Sequence, residues 1–219
     1  SLVHDDLPCM DDDMMRRGQA STWAEYGEDM GVLAGDALMI YAFEVAAKAF
    51  KEVSDADDLK RVGRAIEILA SKTGIYGMIG GQTVDVELAG GPIPKNKLDF
   101  IYRLKTGALI EASMLIGAVL GGAAEEDCKI VESLAGKVGL AFQIQDDILD
   151  VTGDQEVLGK EAGSDEKNQK TTYVTLEGLE KAKKDVEALS VQAIEDLHKL
   201  PGNNEFLENL IRILIKRQK

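Results

Sequence analysis

Apolar residues recur at helical spacing along almost the whole chain, and no stretch alternates convincingly with a period of two. That pattern predicts helices packed on helices. Ser21 to about Lys51 reads as one long periodic stretch (Met30, Leu33, Ala34, Ala37, Leu38, Tyr41), closed by Ser54 and Asp55, which are suited to cap the next helix. A helix is predicted from Asp57 to about Leu88, stopped by Gly90-Gly91-Pro92. Pro94 suits the first turn of a helix running to Gly121-Gly122, and Glu125 to about Val151 forms the next. Gly153 to Tyr173 is polar and rich in Gly and Lys, which reads as a loop of functional length. Thr175 is placed to cap a helix ending before Pro201-Gly202, and Asn203 or Asn204 the last one. The expected class is an all-α, single-domain bundle; 219 residues are enough for one sizeable core. Ser1 falls inside a helix already under way, so further residues are expected upstream of it.

Two aspartate clusters interrupt the apolar pattern: His4-Asp5-Asp6-Leu7-Pro8-Cys9-Met10-Asp11-Asp12-Asp13 and Gln143-Ile144-Gln145-Asp146-Asp147-Ile148-Leu149-Asp150. Carboxylates in such surroundings are costly unless something pairs with them. Asp146 and Asp150 are four apart and share a helix face with Asp147 beside them, and like charges at that spacing destabilise a helix unless a cation intervenes. Asp5 and Asp11 are six apart, which would diverge on a continuous helix. Pro8 cannot continue one, so a break at Leu7–Pro8 would let Asp11 turn back toward Asp5. One such motif alone is usually a solvated face. Two together, with no EF-hand spacing, point to hard divalent cations, and Mg²⁺ held this way bridges to substrate phosphates.

Such a site also needs donors. Arg16-Arg17-Gly18 follows the first cluster, Lys105-Thr106-Gly107 sits mid-chain, and Gly159-Lys160 follows the second cluster. Glycines inside helical patterns (Gly74, Gly77, Gly80, Gly81, Gly107, Gly117, Gly136, Gly139) signal tight helix packing, with ligand approach the competing reading at Gly80-Gly81 and Gly107. Acidic residues outnumber basic ones 39 to 25, giving −14, which argues against nucleic acid or anionic membrane as partner. Two cysteines form no disulfide framework or metal spacing, so a reducing cytoplasm is expected. No uninterrupted apolar run reaches membrane-spanning length.

The ordered set Asp5-Asp6-x4-Asp11, Arg16-Arg17-Gly18, Gly80-Gly81-Gln82-x2-Asp85, Lys105-Thr106-Gly107, Phe142-Gln143-x2-Asp146-Asp147-x2-Asp150, Gly159-Lys160 and Lys170-x2-Tyr173 resembles the trans-isoprenyl diphosphate synthases, specifically bacterial-type farnesyl diphosphate synthases and their geranylgeranyl relatives. The resemblance covers residues 1–219, as a polyprenyl synthetase domain lacking its N-terminal helices. It implies the isoprenoid synthase fold, long helices around a central cavity. It also implies condensation of dimethylallyl or geranyl diphosphate with isopentenyl diphosphate, three Mg²⁺ per site and a homodimer. By resemblance, Asp5, Asp11 and Asp146 would hold Mg²⁺ on the allylic diphosphate, with Asp6, Asp147 and Asp150 completing the metal shell or orienting its waters. Arg16, Lys105, Thr106, Gln143 and Lys160 would bind that diphosphate, and Arg17 the isopentenyl one.

Departures accompany the match. The family's upstream Gly-Lys-x-x-Arg segment and a further His, both for isopentenyl diphosphate, are not in this sequence. Ala20, Ser21 and Trp23 stand where the family has Pro, Thr and His. Farnesyl diphosphate is the expected product, with a geranylgeranyl synthase or a non-catalytic regulatory subunit as alternatives. A terpene cyclase would show a second motif with Asn, Ser or Thr, and Glu at wider spacing. An acidic helical scaffold would bind no diphosphate. His4 and His198 are read as structural rather than catalytic.

Overall fold

The structure, a computed structural model, describes residues 1–152, 171–202 and 204–217. Its helices are α1 (Leu2–Asp5), α2 (Thr22–Tyr26), α3 (Glu28–Lys48), α4 (Ala56–Thr73), α5 (Met78–Glu87), α6 (Lys95–Ile101), α7 (Ala108–Leu120), α8 (Glu125–Thr152), α9 (Tyr173–Glu177), α10 (Leu179–Leu197) and α11 (Glu205–Lys216). A π-helical turn, Tyr102–Gly107, joins α6 to α7, and a 3₁₀ turn, Ala49–Lys51, follows α3. The expected all-α class is what forms. The exception is a hairpin of two-residue strands, β1 (Met15–Arg16) and β2 (Gln19–Ala20), too short to register as a period-2 pattern. Arg17 and Gly18 turn it, both with positive φ (53° and 78°), as a type I′ hairpin demands.

The breakers act where chain chemistry requires. Asp55 caps α4, its Oδ1 accepting from the amides of Asp57 and Asp58 at 2.8 and 3.3 Å. Several predicted helices are divided. Gly27, at φ 99°, separates α2 from α3. Gly77 separates α4 from α5, where a Cβ would collide with the Lys72 carbonyl oxygen. Thr172, not Thr175, caps α9; the two form a reciprocal capping box. Gly178 (φ 84°) then starts α10. Asn204 occupies the cap position of α11, but its amide donates to the carbonyls of Leu197 and Leu200 instead.

Backbone contacts group into two compact units, Ser1–Val62 and Gly63–Lys219. In the first, α3 receives α1 and the following turn through Gly31 and Gly35. A Cβ at Gly35 would collide with the His4 ring, and one at Gly31 would lie 2.9 Å from Leu7. Residues Glu28–Lys51 have a mean hydropathy of 1.5 over their most apolar window. By length and composition this helix is long and apolar enough to cross a membrane, although Asp36 and Glu44 keep it from being an uninterrupted apolar run.

In the second unit, α8 is the axis, with α10 and α7 packed along it. Leu134 and Ile144 of α8 and Leu197 of α10 are its largest fully buried side chains. Asp196 at the end of α10 fastens the pair: it accepts from Lys137 and Ser133 of α8, and from Lys199. Those lysines, Lys137 foremost, hold its carboxyl down at about 2.

Candidate active site

The first aspartate cluster folds back as its proline predicts. α1 ends at Asp5 with Asp6 as its cap, and the Asp11 amide donates to the Asp5 carbonyl at 2.9 Å, closing the six-residue gap. Asp12 adopts positive φ (54°) in that turn, where Asp is among the residues that tolerate it. Asp6 is turned inward and only 3% exposed. Arg16 on β1 meets it side-on, its Nε 2.7 and 2.9 Å from the two carboxylate oxygens and its Nη2 also on Oδ1. The hydrogen bond to Asp6 raises the Arg16 pKa further. Asp6 and Arg16 therefore satisfy each other, and Arg17 lies exposed at the hairpin tip.

In the second unit the π-turn is clasped between two helices. On the α5 side, Gly81 lets the turn approach so closely that a Cβ there would collide with the Lys105 amide nitrogen. Asp85, one helical turn on, takes the Lys105 ammonium at 2.7 Å. On the α8 side, Gly139 admits the backbone of Gly107 (2.8 Å from a built Cβ), and Gln143 accepts from Thr106 Oγ1 at 2.9 Å. The competing reading of Gly81 is thereby decided for packing. Lys105, Thr106, Gln143 and Asp85 line a cavity of about 70 Å³, together with Tyr102 and Asp147.

Burial divides the second aspartate cluster differently from its spacing. Asp146 is half-exposed, whereas Asp147 and Asp150 are 4% and 5% exposed. Arg217, beyond α11, lays its guanidinium over the Phe142 ring, 3.5 Å from the centroid, and pairs with Asp146 Oδ1. The sequence predicts a last helix here but does not single out this arginine, because nothing local connects residue 217 to residue 146. Asp85 belongs to a recognised motif but gains its role only here, and no sequence signal marks Tyr102. Lys160 and Lys170 lie outside the described residues.

Carboxylates of this kind suit Mg²⁺ in each unit taken by itself. Among the described residues no three His, Cys, Asp or Glu side chains gather into a protein-only cage. Mg²⁺ takes one or two carboxylates and completes its shell with water and phosphate oxygens, so Asp5 and Asp11 in one unit and Asp146 in the other are the expected kind of ligand. Asp146 already attracts a cation, Arg217.

The sequence profile of the polyprenyl synthetase family matches residues 1–209. The chain belongs to the polyprenyl synthetases. It is 42% identical to the farnesyl diphosphate synthase of Escherichia coli (strain K12), with 100% of this chain and 74% of that protein covered. It is 44% identical to the chloroplastic heterodimeric geranylgeranyl pyrophosphate synthase large subunit 1 of Arabidopsis thaliana, covering 90% of this chain but 53% of that one, so it spans about half of that relative's length. A crystal structure of geranyltransferase from Helicobacter pylori complexed with magnesium and isoprenyl diphosphate superposes with a TM-score of 0.82 at 36% identity, covering 98% of this chain and 68% of that one. The all-α polyprenyl synthetase fold expected from the motifs is thus the one adopted.

Proposed function

We propose that this polyprenyl synthetase condenses dimethylallyl or geranyl diphosphate with isopentenyl diphosphate to give farnesyl diphosphate. The observation that carries the reading is the clasped π-turn: a cation, a hydroxyl and an amide (Lys105, Thr106, Gln143) converge on one cavity, in a chain 42% identical to a farnesyl diphosphate synthase. Lys105 would hold the allylic diphosphate, and Thr106, whose one hydroxyl hydrogen goes to Gln143 Oε1, would orient Gln143 so that its amide N–H groups donate to the same diphosphate. As the bond to diphosphate breaks, negative charge grows on the leaving oxygens, and fixed positive groups there lower the barrier most. Mg²⁺, three ions in this proposal, supplies charge neutralisation on the diphosphate; Asp5, Asp11 and Asp146 would hold it. The isopentenyl double bond then attacks the allylic carbon, and the proton lost goes to the released diphosphate. Neither histidine is needed as a base: His4 Nε2 lies 3.0 Å from the Val32 carbonyl, and His198 pairs with Glu208 at 2.8 Å.

Arg16, Arg17 and Lys160 are proposed diphosphate ligands on the resemblance alone; Arg16 would have to share its guanidinium with Asp6. A cytoplasmic homodimer is part of the same proposal. The dimer is supported by α3, which leaves Leu33, Ile40 and Tyr41 on one stripe 59%, 71% and 54% exposed. The identity to a geranylgeranyl synthase subunit favours geranylgeranyl diphosphate as the second reading of the product.

Calorimetric titration of geranyl diphosphate should show binding that requires Mg²⁺, and Asp146→Ala should weaken it at least tenfold with helicity unchanged. Incubation with geranyl and labelled isopentenyl diphosphates should give farnesyl diphosphate. Binding indifferent to both Mg²⁺ and Asp146 would defeat the proposal, and a geranylgeranyl product would select the second reading.

A further inference from the structure

The π-turn is joined to α8 by two rungs of one design. Thr106 donates to Gln143 at 2.9 Å, and Tyr102 donates to Asp147 at 2.6 Å. Tyr102 and Thr106 are four residues apart, as are Gln143 and Asp147, so the rungs run in antiparallel register. The register continues past them, through Gly107 against Gly139 and Glu111 against Gly136. The Thr106 rung borders the cavity of the proposed diphosphate site. The Tyr102 rung lines the same cavity and is buried, with Tyr102 7% and Asp147 4% exposed. Asp147 Oδ2 accepts a second hydrogen bond, from the Tyr173 amide at 2.7 Å, at the start of α9.

A buried carboxylate oxygen with two short protein hydrogen bonds is already solvated by the protein; a metal ion at that oxygen would have to displace both donors. A π-turn has i→i+5 bonds of limited stability and is seldom longer than one turn, so it depends on outside contacts to keep its width. Were it to relax to regular α-helix, its extra residue would be passed along the chain, and the side chains beyond it would swing by about 100°. Lys105 would then leave Asp85, and Thr106 would leave Gln143.

We propose that Asp147 acts through Oδ2 as a positioning residue, and that the Tyr102–Asp147 hydrogen bond sets the register of the π-turn, so that Lys105 faces the diphosphate and Thr106 holds Gln143 beside it. The inference rests on the diphosphate-binding reading above for its consequence, but not for its geometry. Two readouts on the whole chain separate them: amide hydrogen exchange across residues 102–107 without ligand, and calorimetric binding of geranyl diphosphate as a function of Mg²⁺. Tyr102→Phe keeps the ring and removes the donor. It should speed exchange across the turn and weaken geranyl diphosphate roughly tenfold, without moving the Mg²⁺ concentration for half-maximal binding. Asp147→Asn keeps an oxygen able to accept both bonds and should stay within about threefold of the parent, whereas Asp147→Ala should fall with Tyr102→Phe. The proposal is overturned if Asp147→Asn raises the Mg²⁺ requirement as strongly as Asp146→Asn. It is also overturned if Tyr102→Phe leaves exchange unchanged. A chain that bound no geranyl diphosphate at all would refute the functional reading, while exchange would still decide the register.

Discussion

Asp6 and Arg16 show how a carboxylate in an apolar cluster is tolerated. The hairpin brings Arg16 back ten residues to meet Asp6 through two of its nitrogens, and only a guanidinium presents its donors in such a fork. Asp146 is placed differently: its side chain is half-exposed, and its partner Arg217 sits on the Phe142 ring. The two aspartates are therefore unlike in cost. Arg16→Met would leave Asp6 buried without its partner, and is expected to destabilise the chain by about 3 kcal/mol, the low end for breaking a buried pair because Arg16 is itself a third exposed. Urea unfolding would measure it, and a change below about 1 kcal/mol would show that Asp6 finds another partner.

Among elements, the π-turn is the one whose geometry depends most on its neighbours. Gly81 on α5 and Gly139 on α8 bring two helices against its backbone, and Asp85 and Gln143 follow one turn later on the same faces. Gly117 in α7 has the same helical setting but meets nothing within 4 Å. The two glycines Gly81 and Gly117 should then respond oppositely to alanine. Gly81→Ala is expected to destabilise by about 2–3 kcal/mol, because the atom it meets is backbone and cannot rotate away. Gly117→Ala is expected to stabilise by up to about 1 kcal/mol through helix propensity. Thermal unfolding of the pair decides it; equal losses would mean that packing at Gly117 is as tight as at Gly81.

For the complete chain, the proposed homodimer has the exposed apolar stripe of α3 as its physical motive. Sedimentation at micromolar concentration is expected to show a dimer, and Leu33→Glu with Ile40→Glu to shift it to monomer. A parent chain that stays monomeric would remove that part of the proposal. The acidic excess of −14 disfavours nucleic acid as a partner on electrostatic grounds.

The all-α class, the breaks at Asp55 and Gly90-Gly91-Pro92, the return of Asp11 to Asp5 around Pro8, and the motifs of the polyprenyl synthetase family are all legible in the order of residues alone. Each is local: periodicity, capping and proline sterics act within a few residues. Which carboxylates are solvated by protein and which lie open to a cation is settled by packing. Asp146, Asp147 and Asp150 belong to one motif, yet Asp147 is enclosed by Tyr102 and Tyr173 while Asp146 is half-exposed beside Arg217. Likewise the π-turn reads as ordinary helix in sequence, because the contacts that surround it, those of Gly81, Gly139 and Asp147, come from two other helices. A side chain's environment is set by residues distant in the chain, and no local pattern carries that information.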